Sequence, residues 1–307
     1  MTSVSVVTLA KGRPDHLRNM IVGLSQQSHA PAELVVAVMQ DTRYELPAAC
    51  FPIRQIMIPG DALPLASARN AAVRAAIGDA VIFLDMDCIP TPGMIADYAR
   101  GLDTLDGLLM GEVLYLPGEA TMPGWTWDGF AAVAVRHSDR RGPPAQGLEL
   151  CNDYRCFWSL NFAMRRATFL AAGGFDERYL GYGGEDTDFG KLLDRRGVPI
   201  AWTRGALAYH QYHRHHMPPV HHLDSVVRNA QVFEAKWGYR TMGHWLHAFR
   251  LMGLIDDTPG APIRILRRPD AADLALTGQL SHQPYANTTS VIRLLEERVR
   301  QADTAAA

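Results

Sequence analysis

The sequence has few cysteines and lacks any long apolar run. The 307 residues include only Cys50, Cys88, Cys151 and Cys156, and no two of them form a C-x-x-C pair. A disulfide framework is therefore not expected, although Cys151 and Cys156 could pair. No apolar run is long enough to span a bilayer. The N-terminal "MTSVSVVTLAKGR" lacks the pattern of a signal peptide, so we expect a reducing, cytoplasmic location.

Neither sign of charge dominates. The chain has 30 Lys and Arg residues against 32 Asp and Glu residues, which gives a formal net charge of -2. This balance does not favour a general binder of nucleic acid or of anionic membranes. The hydrophobic share of 48% and the charged share of 20% are ordinary for a globular enzyme. The length allows one large domain or two small ones.

Strands and helices alternate at the start of the chain. Buried strands are predicted at Val4–Leu9, Glu33–Met39, Ile53–Ile58 and Ala80–Leu84. Helices are predicted from Pro14 to about Gln27, over Leu65–Ile77, and from Pro92 to about Leu102. This alternation with short connections predicts an α/β fold, in which helices cover both faces of a mostly parallel sheet.

The remainder of the chain has a different character. Pro117–Leu150 contains several Pro and Gly residues and is predicted to be a functional loop or lid. Further elements are predicted at Asn161–Leu170 (strand, then helix), Asp186–Arg195 (helix), Ile200–Tyr209 (strand), Leu223–Trp237 (helix) and Thr289–Arg300 (helix). We expect residues 1–116 and 117–222 to form two halves of one domain, and 223–307 to form a helical extension whose proline-containing middle is irregular.

Two aspartates follow the predicted strand Ala80–Leu84. Residues alternate between the faces of a strand, so Asp85 and Asp87 can point the same way at its carboxyl end, where open α/β sheets bind ligands. Two such close carboxylates repel unless one is protonated or a cation lies between them. Mg²⁺ or Mn²⁺ would fill that role. The alternative is that one aspartate caps the next turn and the other is solvated.

The stretch "ASARNAAVRAAIGDAVIFLDMDCIP" resembles the family 2 glycosyltransferases of the GT-A fold, and "VSVVTLAKGRPDHLRNMIVGLSQQS" resembles their first strand and helix. The resemblance implies a nucleotide-sugar donor, with UDP preferred. The second strand, "ELVVAVMQDT", lacks the usual acidic pair, so uridine and guanosine both stay open. The implied donor-side residues are Thr8, Ala10 and Arg13 at the base, Arg69 near the donor, Asp85 on ribose or sugar, and Asp87 on the metal. Arg69 could instead form a surface salt bridge.

A second acidic cluster lies in "GGFDERYLGYGGEDTDFGKLLDRRG". Gly183 and Gly184 permit positive φ or close approach of a ligand to the backbone. Glu185, Asp186 and Asp188 then begin a helix, where the helix dipole favours carboxylates. Capping explains one of these acids, but it does not explain the whole aromatic–Gly–Gly–acid–acid run.

This second cluster resembles the acceptor motif W-G-W-G-G-E-D-x-D of the galactosyltransferase family 7 C-terminal type. Tyr182 stands where the motif has an aromatic residue, and would form a stacking platform for a sugar. The resemblance implies that Asp186 is the general base and that Glu185 hydrogen-bonds the acceptor, next to Gly184. In "CFWSLNFAMRRATFLAAGGFDE", it places Trp158 beside the sugar and Asn161 on a hydroxyl, and core packing is the equal alternative for both.

Six of the 12 histidines lie in "HQYHRHHMPPVHH", from His210 to His222. Such tracts bind zinc adventitiously or are solvated loops. In GT-A families a histidine after the preceding strand often completes the metal site. We therefore expect His210, or else His213, to join Asp85 and Asp87 around the metal.

The last third of the chain is less informative. Gly243–Ile255 has apolar residues close to helical spacing, which fits a membrane surface, packing onto the domain, or a homodimer contact. It lacks a Lys-rich polar face, so packing or a dimer contact is preferred.

Together these features predict a metal-dependent, inverting glycosyltransferase that moves a sugar from a nucleotide sugar to a saccharide or glycoconjugate. Two alternatives stay open. One is a haloacid-dehalogenase-like phosphatase with Asp85 as the nucleophile, although Lys191 is the only lysine between Lys11 and Lys236. The other is a sugar-nucleotide or glycan-binding module without turnover.

Overall fold

The strands of this protein come from short segments rich in Val, Ile, Leu and Ala, as expected for buried strands. The computed structural model describes residues 2–60 and 63–306, with the backbone only for 302–306. The strands are β1 Val4–Ala10, β2 Glu33–Val38, β3 Ile53–Met57, β4 Ala80–Leu84, β5 Cys88–Pro90, β6 Leu108–Tyr115, β7 Val135–Arg136, β8 Leu148–Leu150, β9 Asn161–Arg165, β10 Ile200–His210, β11 Ile255–Asp256 and β12 Arg264–Ile265. β11 and β12 form a separate two-stranded sheet.

Ten helices accompany these strands in the described part of the chain. They are α1 Pro14–Ser25, α2 Leu65–Ala75, α3 Met94–Thr104, α4 Trp127–Val133, α5 Arg166–Ala171, α6 Glu185–Arg195, α7 Leu223–Trp237, α8 Gly243–Leu251, α9 Ala271–Thr277 and α10 Thr288–Ala306. Short 3₁₀ turns lie at Tyr154–Cys156 and Val220–His222.

The main sheet is mixed, and its central strands are mostly parallel. Its order is β3-β2-β1-β4-β9-β6-β10-β5, with β7 beside β6 and β8 beside β10. Strand β1 is parallel to β2 and to β4, whereas β9 runs antiparallel between β4 and β6. The carboxyl ends of β1 and β4 therefore lie side by side.

Helices cover both faces of this sheet. On one face, α1 and α3 bury Leu17, Met20, Tyr98 and Leu102 against the strands. On the other face, α2, α5 and α6 bury small and aromatic side chains, with Phe189 fully covered. Alternation of side chains along each strand supplies both cores, so the predicted α/β architecture is confirmed.

Pro117–Leu150 is not one long loop, which corrects the prediction. Thr126 caps α4 by accepting a hydrogen bond from the Gly129 amide, and β7 and β8 join the main sheet. Phe130 stacks on Trp125 at 4.8 Å and packs beside Tyr209 at 5.2 Å. These aromatic contacts order a segment whose Pro and Gly content suggested a lid. Strand β6 was not predicted.

The C-terminal extension has its own apolar core. Val226, Leu246, Phe249 and Leu295, from α7, α8 and α10, are buried together. The apolar face of α8 is thereby covered by the protein itself, which favours the packing alternative for Gly243–Ile255. The helical spacing of Gly243–Ile255 corresponds to α8, but the expectation of an irregular proline-containing middle is wrong for α9, where Asp270 and Asp273 form a reciprocal capping box.

Two further features concern the cysteines and the apolarity of the helices. Cys151 and Cys156 form a disulfide, while Cys50 and Cys88 are free. None of the described helices combines the length and the apolarity needed to cross a membrane.

Candidate functional site

The first aspartate pair lies in a turn that joins β4 to β5. The Asp85 amide donates to the Leu160 carbonyl, and the Cys88 amide donates to the Asp85 carbonyl. Strand β5 then pairs antiparallel with the end of β10, with Cys88 opposite His210. This register explains why a histidine more than 120 residues away reaches the turn.

Asp87 is the centre of a compact cluster with two histidines. Its side chain lies 3.6 Å from Nε2 of His210 and 3.3 Å from Nε2 of His213. One ligand atom from each of the three residues lies within 4.8 Å of the others. His213, the second candidate from the sequence, thus joins the group, and Asp85 lies outside it.

The charges at Asp87 favour its ionised form. Burial opposes ionisation, but His210, His213 and Arg13 together hold the pKa of Asp87 well below its usual range. Burial also lowers the pKa of His210 to about 3, so that imidazole is neutral at neutral pH. Arg13, whose Nη1 lies 2.9 Å from Asp87, therefore supplies positive charge that does not depend on His210.

The same residues fit a divalent cation. A carboxylate and two imidazoles are donors that Mn²⁺ and related ions accept, and neutral His210 has a free lone pair to offer. Nε2 of His210 faces Asp87, and Nδ1 is buried without a hydrogen-bond partner among the described residues. Tyr115 stacks on the same ring at 4.9 Å.

The second acidic cluster begins where two glycines take positive φ. Gly183 and Gly184 have φ of 93° and 92°, and Gly184 is the N-cap of α6. A Cβ at Gly183 would lie 2.8 Å from the sulfur of Met242, so the loop packs closely on the C-terminal extension. Glu185 and Asp186 follow in the first turn of α6.

Arg69 on α2 joins the two acidic clusters. Its Nη1 donates to Glu185 Oε1 at 3.0 Å, and its Nη2 lies 4.0 Å from Asp85 Oδ1. The guanidinium is buried and lies over the Phe175 ring at 5.1 Å. The next residue, Asn70, makes hydrogen bonds with the backbone of Phe175 in both directions. The A-R-N helix thus fixes both the guanidinium and the segment that leads to α6.

Two carboxyl groups at this junction have raised pKa values. Burial raises the pKa of Asp85 to about 7; the Arg69 charge opposes this increase, and the Asp87 charge adds a smaller one. Burial and the charge of Glu185 raise the pKa of Asp186 to about 6. Such groups can exchange protons near neutral pH. Glu185 Oε2 is also buried, without a hydrogen-bond partner in the described part of the chain.

Asp188, two residues after Asp186, has a different environment. It is fully buried and accepts hydrogen bonds from Lys236 Nζ and Trp237 Nε1, both at 2.7 Å, and from Tyr179 at 3.2 Å. It therefore ties α6 to the end of α7.

A second residue of α7 holds the loop before α6. The buried Asn229 amide donates to the carbonyls of Leu180 at 3.1 Å and Gly183 at 2.8 Å. Ser225 Oγ accepts from the Tyr182 amide at 3.1 Å. Sequence reasoning missed Asn229 and Lys236, because no local motif marks residues whose partners lie about 50 positions away.

The remaining donor-side candidates lie near the end of β1. Thr8 Oγ1 is buried and has no hydrogen-bond partner within residues 2–60 and 63–301, and Ala10 is fully buried. Arg13 contacts Asp87, although the sequence associated it with the nucleotide base. Gln40, just after β2, accepts from the Gly12 amide at 2.9 Å and braces this loop.

The acceptor-side candidates divide into two groups. Tyr182 lies in a stack between His222 at 4.9 Å and Trp245 at 5.7 Å, and Trp158 contacts His137 at 5.2 Å. Asn161 is 1% exposed and lies inside the sheet. Its amide donates to the carbonyls at 112 and 206 and accepts from the Tyr98 hydroxyl. No donor of Asn161 is left for a ligand, so its assignment to a ligand hydroxyl is replaced by core packing.

Family comparisons agree with this geometry. A family model described as glycosyl transferase family 2 matches residues 5–167, which is more than half of the chain. A second, described as the N-terminal domain of galactosyltransferase, matches residues 145–216. The two matches include the first and second acidic clusters, respectively.

Several curated proteins are similar to parts of the chain. Chondroitin synthase of Escherichia coli is 29% identical over 169 residues, covering 48% of this chain and 25% of that protein. Hyaluronan synthase of Pasteurella multocida is 26% identical over 241 residues, covering 68% and 24%. Validoxylamine A glucosyltransferase of Streptomyces hygroscopicus subsp. jinggangensis is 44% identical over 48 residues, covering 16% and 11%. The chain thus matches a quarter or less of the length of these relatives.

A solved structure supports the fold. A crystal structure of GalNAc-T7 with UDP, GalNAc and Mn²⁺ superposes with a TM-score of 0.51 at 14% identity, covering 69% of this chain and 43% of that one. The similarity confirms the GT-A fold.

Proposed function

Because the chain belongs to glycosyl transferase family 2 and is a glycosyltransferase, we propose that it transfers a sugar from a UDP-sugar to a hydroxyl of a saccharide or glycoconjugate, with inversion and with help from a divalent metal. The family match concerns the class of enzyme. The donor, the acceptor, the metal and the stereochemistry belong to the proposal.

The observation that carries the proposal is the position of Arg69. One guanidinium lies 3.0 Å from Glu185 and 4.0 Å from Asp85, so one side chain contacts both acidic clusters, which would line one cleft. A sugar transfer needs the donor-binding and acceptor-binding groups close together, because the entering hydroxyl attacks the anomeric carbon from which the diphosphate leaves.

On the donor side, Asp87, His210 and His213 would hold Mn²⁺ or Mg²⁺. When bound, the ion supplies a positive charge that stabilises the diphosphate leaving group. Arg13 adds a cation beside Asp87. Thr8 and Ala10 would border the base, and Asp85 with Arg69 would contact the ribose or the transferred sugar. The preference for UDP and Mn²⁺ is supported by the related fold of GalNAc-T7, whose structure contains both.

On the acceptor side, Asp186 would act as the general base. A sugar hydroxyl has a very high pKa and must lose its proton as its oxygen attacks the anomeric carbon. Asp186, whose pKa is about 6, is mostly ionised at neutral pH and would accept that proton on a carboxylate oxygen. Such a base contributes about 10²–10⁴-fold to the rate. Attack opposite the diphosphate inverts the configuration at the anomeric carbon.

The same loop would orient the acceptor. Glu185 has one carboxylate oxygen on Arg69, and its other oxygen, which has no partner among the described residues, would accept from a second acceptor hydroxyl. Tyr182, stacked with His222 and Trp245, offers an aromatic surface for a sugar ring. Gly184 lets the acceptor approach the backbone closely.

A binding panel followed by a product assay tests the proposal. Thermal shifts with UDP, GDP and their sugars, with and without Mn²⁺, should show metal-dependent stabilisation that is largest for a uridine nucleotide. Addition of acceptor should then release nucleoside diphosphate. Release of inorganic phosphate would instead support a phosphatase, and donor binding without any release would support a non-catalytic module.

A further inference from the structure

Arg140 is an arginine without a carboxylate partner, in a segment where its neighbours are paired. Arg136 forms an ion pair with Glu112, and Arg141 forms one with Glu149. Among the described residues, no carboxylate lies within 4.0 Å of the Arg140 guanidinium. Its charge is therefore available to something outside the chain.

The guanidinium of Arg140 is nevertheless fixed in place. Its Cζ lies 4.8 Å from the Trp158 ring centroid and 4.5 Å from that of Trp202, so two indoles hold it. Nη1 donates to the Cys156 carbonyl at 3.1 Å. Its other side-chain N–H groups have no hydrogen-bond partner in the part of the chain that is described. An arginine has five such donors in a rigid plane, so most of them are free to bind a ligand.

Aromatic contacts also connect Arg140 to the candidate metal ligand His210. Burial lowers the pKa of Arg140 to about 10, and Tyr115 and Asp186 are close enough to oppose that decrease. The side chain is thus a cation at neutral pH. Tyr115 stacks on His210, and His137 lies between Tyr115 at 5.7 Å and Trp158 at 5.2 Å. Ring contacts through Trp158, His137 and Tyr115 therefore connect the Arg140 cation to His210.

We propose that Arg140 forms a subsite for the carboxylate of an acidic sugar in one of the two substrates. A planar guanidinium matches a carboxylate through two parallel N–H···O bonds. The donor diphosphate has other partners, Arg13 and the Asp87 cluster, so it does not need Arg140. A neutral sugar would leave the cation partly desolvated and without an anion. This inference rests on the proposed function, because it needs both sugars in the cleft.

Two ligand pairs test the subsite and identify which substrate carries the acid. The first pair is UDP-glucuronic acid against UDP-glucose, each titrated calorimetrically with Mn²⁺ present. The second is a disaccharide ending in glucuronic acid against its methyl ester, titrated with UDP and Mn²⁺ present. Wild-type protein should bind the carboxylate form about 10- to 100-fold more tightly in at least one pair, as expected for a charge-assisted bidentate contact.

Variants assign that preference to Arg140. Arg140→Gln should abolish the preference, whereas Arg141→Gln, which changes an exposed arginine next to it, should keep it. Arg140→Lys retains the charge and the contact with the indoles, and should keep only part of the preference.

Two results would overturn the inference: no preference in either pair for the wild type, which needs no variant to fold, or a preference that survives Arg140→Gln. Binding of UDP alone distinguishes a failure of the Arg140 subsite from a failure of the proposed function. If UDP binds with Mn²⁺ and no carboxylate preference appears, only the subsite is wrong. If UDP does not bind, the proposed function itself fails.

Discussion

The sequence contains two D-x-D pairs, and the structure gives them parallel but unequal environments. In each pair, one aspartate is partly exposed at the proposed cleft and has a raised pKa: Asp85 at about 7 and Asp186 at about 6. In each pair, the other aspartate is held by hydrogen-bonding or cationic partners: Asp87 by Arg13 and two histidines, and Asp188 by Lys236, Trp237 and Tyr179.

Asp87 and Asp188 occupy the same position in their motifs but have different partners, so the motif alone does not determine the role of the residue. Asp87 has imidazole neighbours that can change partners and coordinate an ion. Asp188 is fully buried against a lysine and an indole from α7, whose groups are already used. The same three-residue spacing therefore gives a candidate ligand site after β4 and a structural anchor in α6. Partners from distant elements decide between these uses.

The largest expected effect comes from the cleft-facing member of the second pair. Asp186→Asn should lower the transfer rate by about 10²–10⁴-fold, since the amide cannot accept the hydroxyl proton. Donor binding, measured by calorimetry, should stay within about twofold, because the Asp87 cluster is untouched. If the Asp186→Asn variant transferred sugar at the wild-type rate, the assignment of Asp186 as the general base would be wrong.

The held member of the first pair should behave in the opposite way. Asp87→Asn removes the only carboxylate of the cluster, so Mn²⁺-dependent binding of UDP should weaken by about 100-fold or more. Stabilisation by UDP in a thermal-shift assay should then no longer depend on Mn²⁺. Asp85→Asn is the matched control, and metal dependence should survive in it. Equal loss in both variants would show that Asp85 also binds the ion.

The held member of the second pair should matter for stability. Asp188→Asn leaves Lys236 with Asp176 as its remaining partner and removes a charge from a buried network, so the free energy of unfolding should fall by about 3 kcal/mol. Urea unfolding measures this loss. Asp186→Asn should show none, since a folded-state pKa raised from 3.8 to about 6 means that ionised Asp186 destabilises the folded protein at neutral pH. Equal losses of unfolding free energy in both variants would show that Asp186 and Asp188 do not differ in their contribution to stability.

The pH dependence of transfer gives the smallest effect. Asp186 must be ionised to accept a proton, so the rate should be constant at neutral pH and fall about tenfold per pH unit well below pH 6. Glu185→Gln removes a negative charge that raises this pKa, and the inflection should move to lower pH. Burial, the larger cause, remains in this variant. An inflection that moves to higher pH would contradict the assigned cause.

Much of the fold could be predicted from the sequence, because the local patterns were strong. Runs such as Ala80–Leu84 and the amphipathic spacing after Pro14 lie almost where the structure has β4 and α1. Strand β6 and the order within Pro117–Leu150 were missed, since their stability comes from long-range pairing and from the aromatic contacts of Phe130.

The site was only partly predictable. The residues in motifs, such as Arg69, Asp87 and Glu185, could be selected from the sequence. Asn161 was assigned to the acceptor because its neighbourhood resembled a motif, yet its amide is used within the sheet. Arg140 gave no signal, because only the fold brings it between Trp158 and Trp202.

An anomalous diffraction map of crystals grown with Mn²⁺ and UDP tests the difference between the two pairs most directly. We predict one Mn²⁺ peak in the cleft, bounded by Asp87, His210 and His213, and no peak within bonding distance of Asp186 or Asp188. Two results would contradict the account: a peak coordinated by Asp186 or Asp188, or no peak at Asp87 while UDP is bound. Either would show that the first aspartate pair is not the cation site, or that the second pair is not a base and a structural anchor.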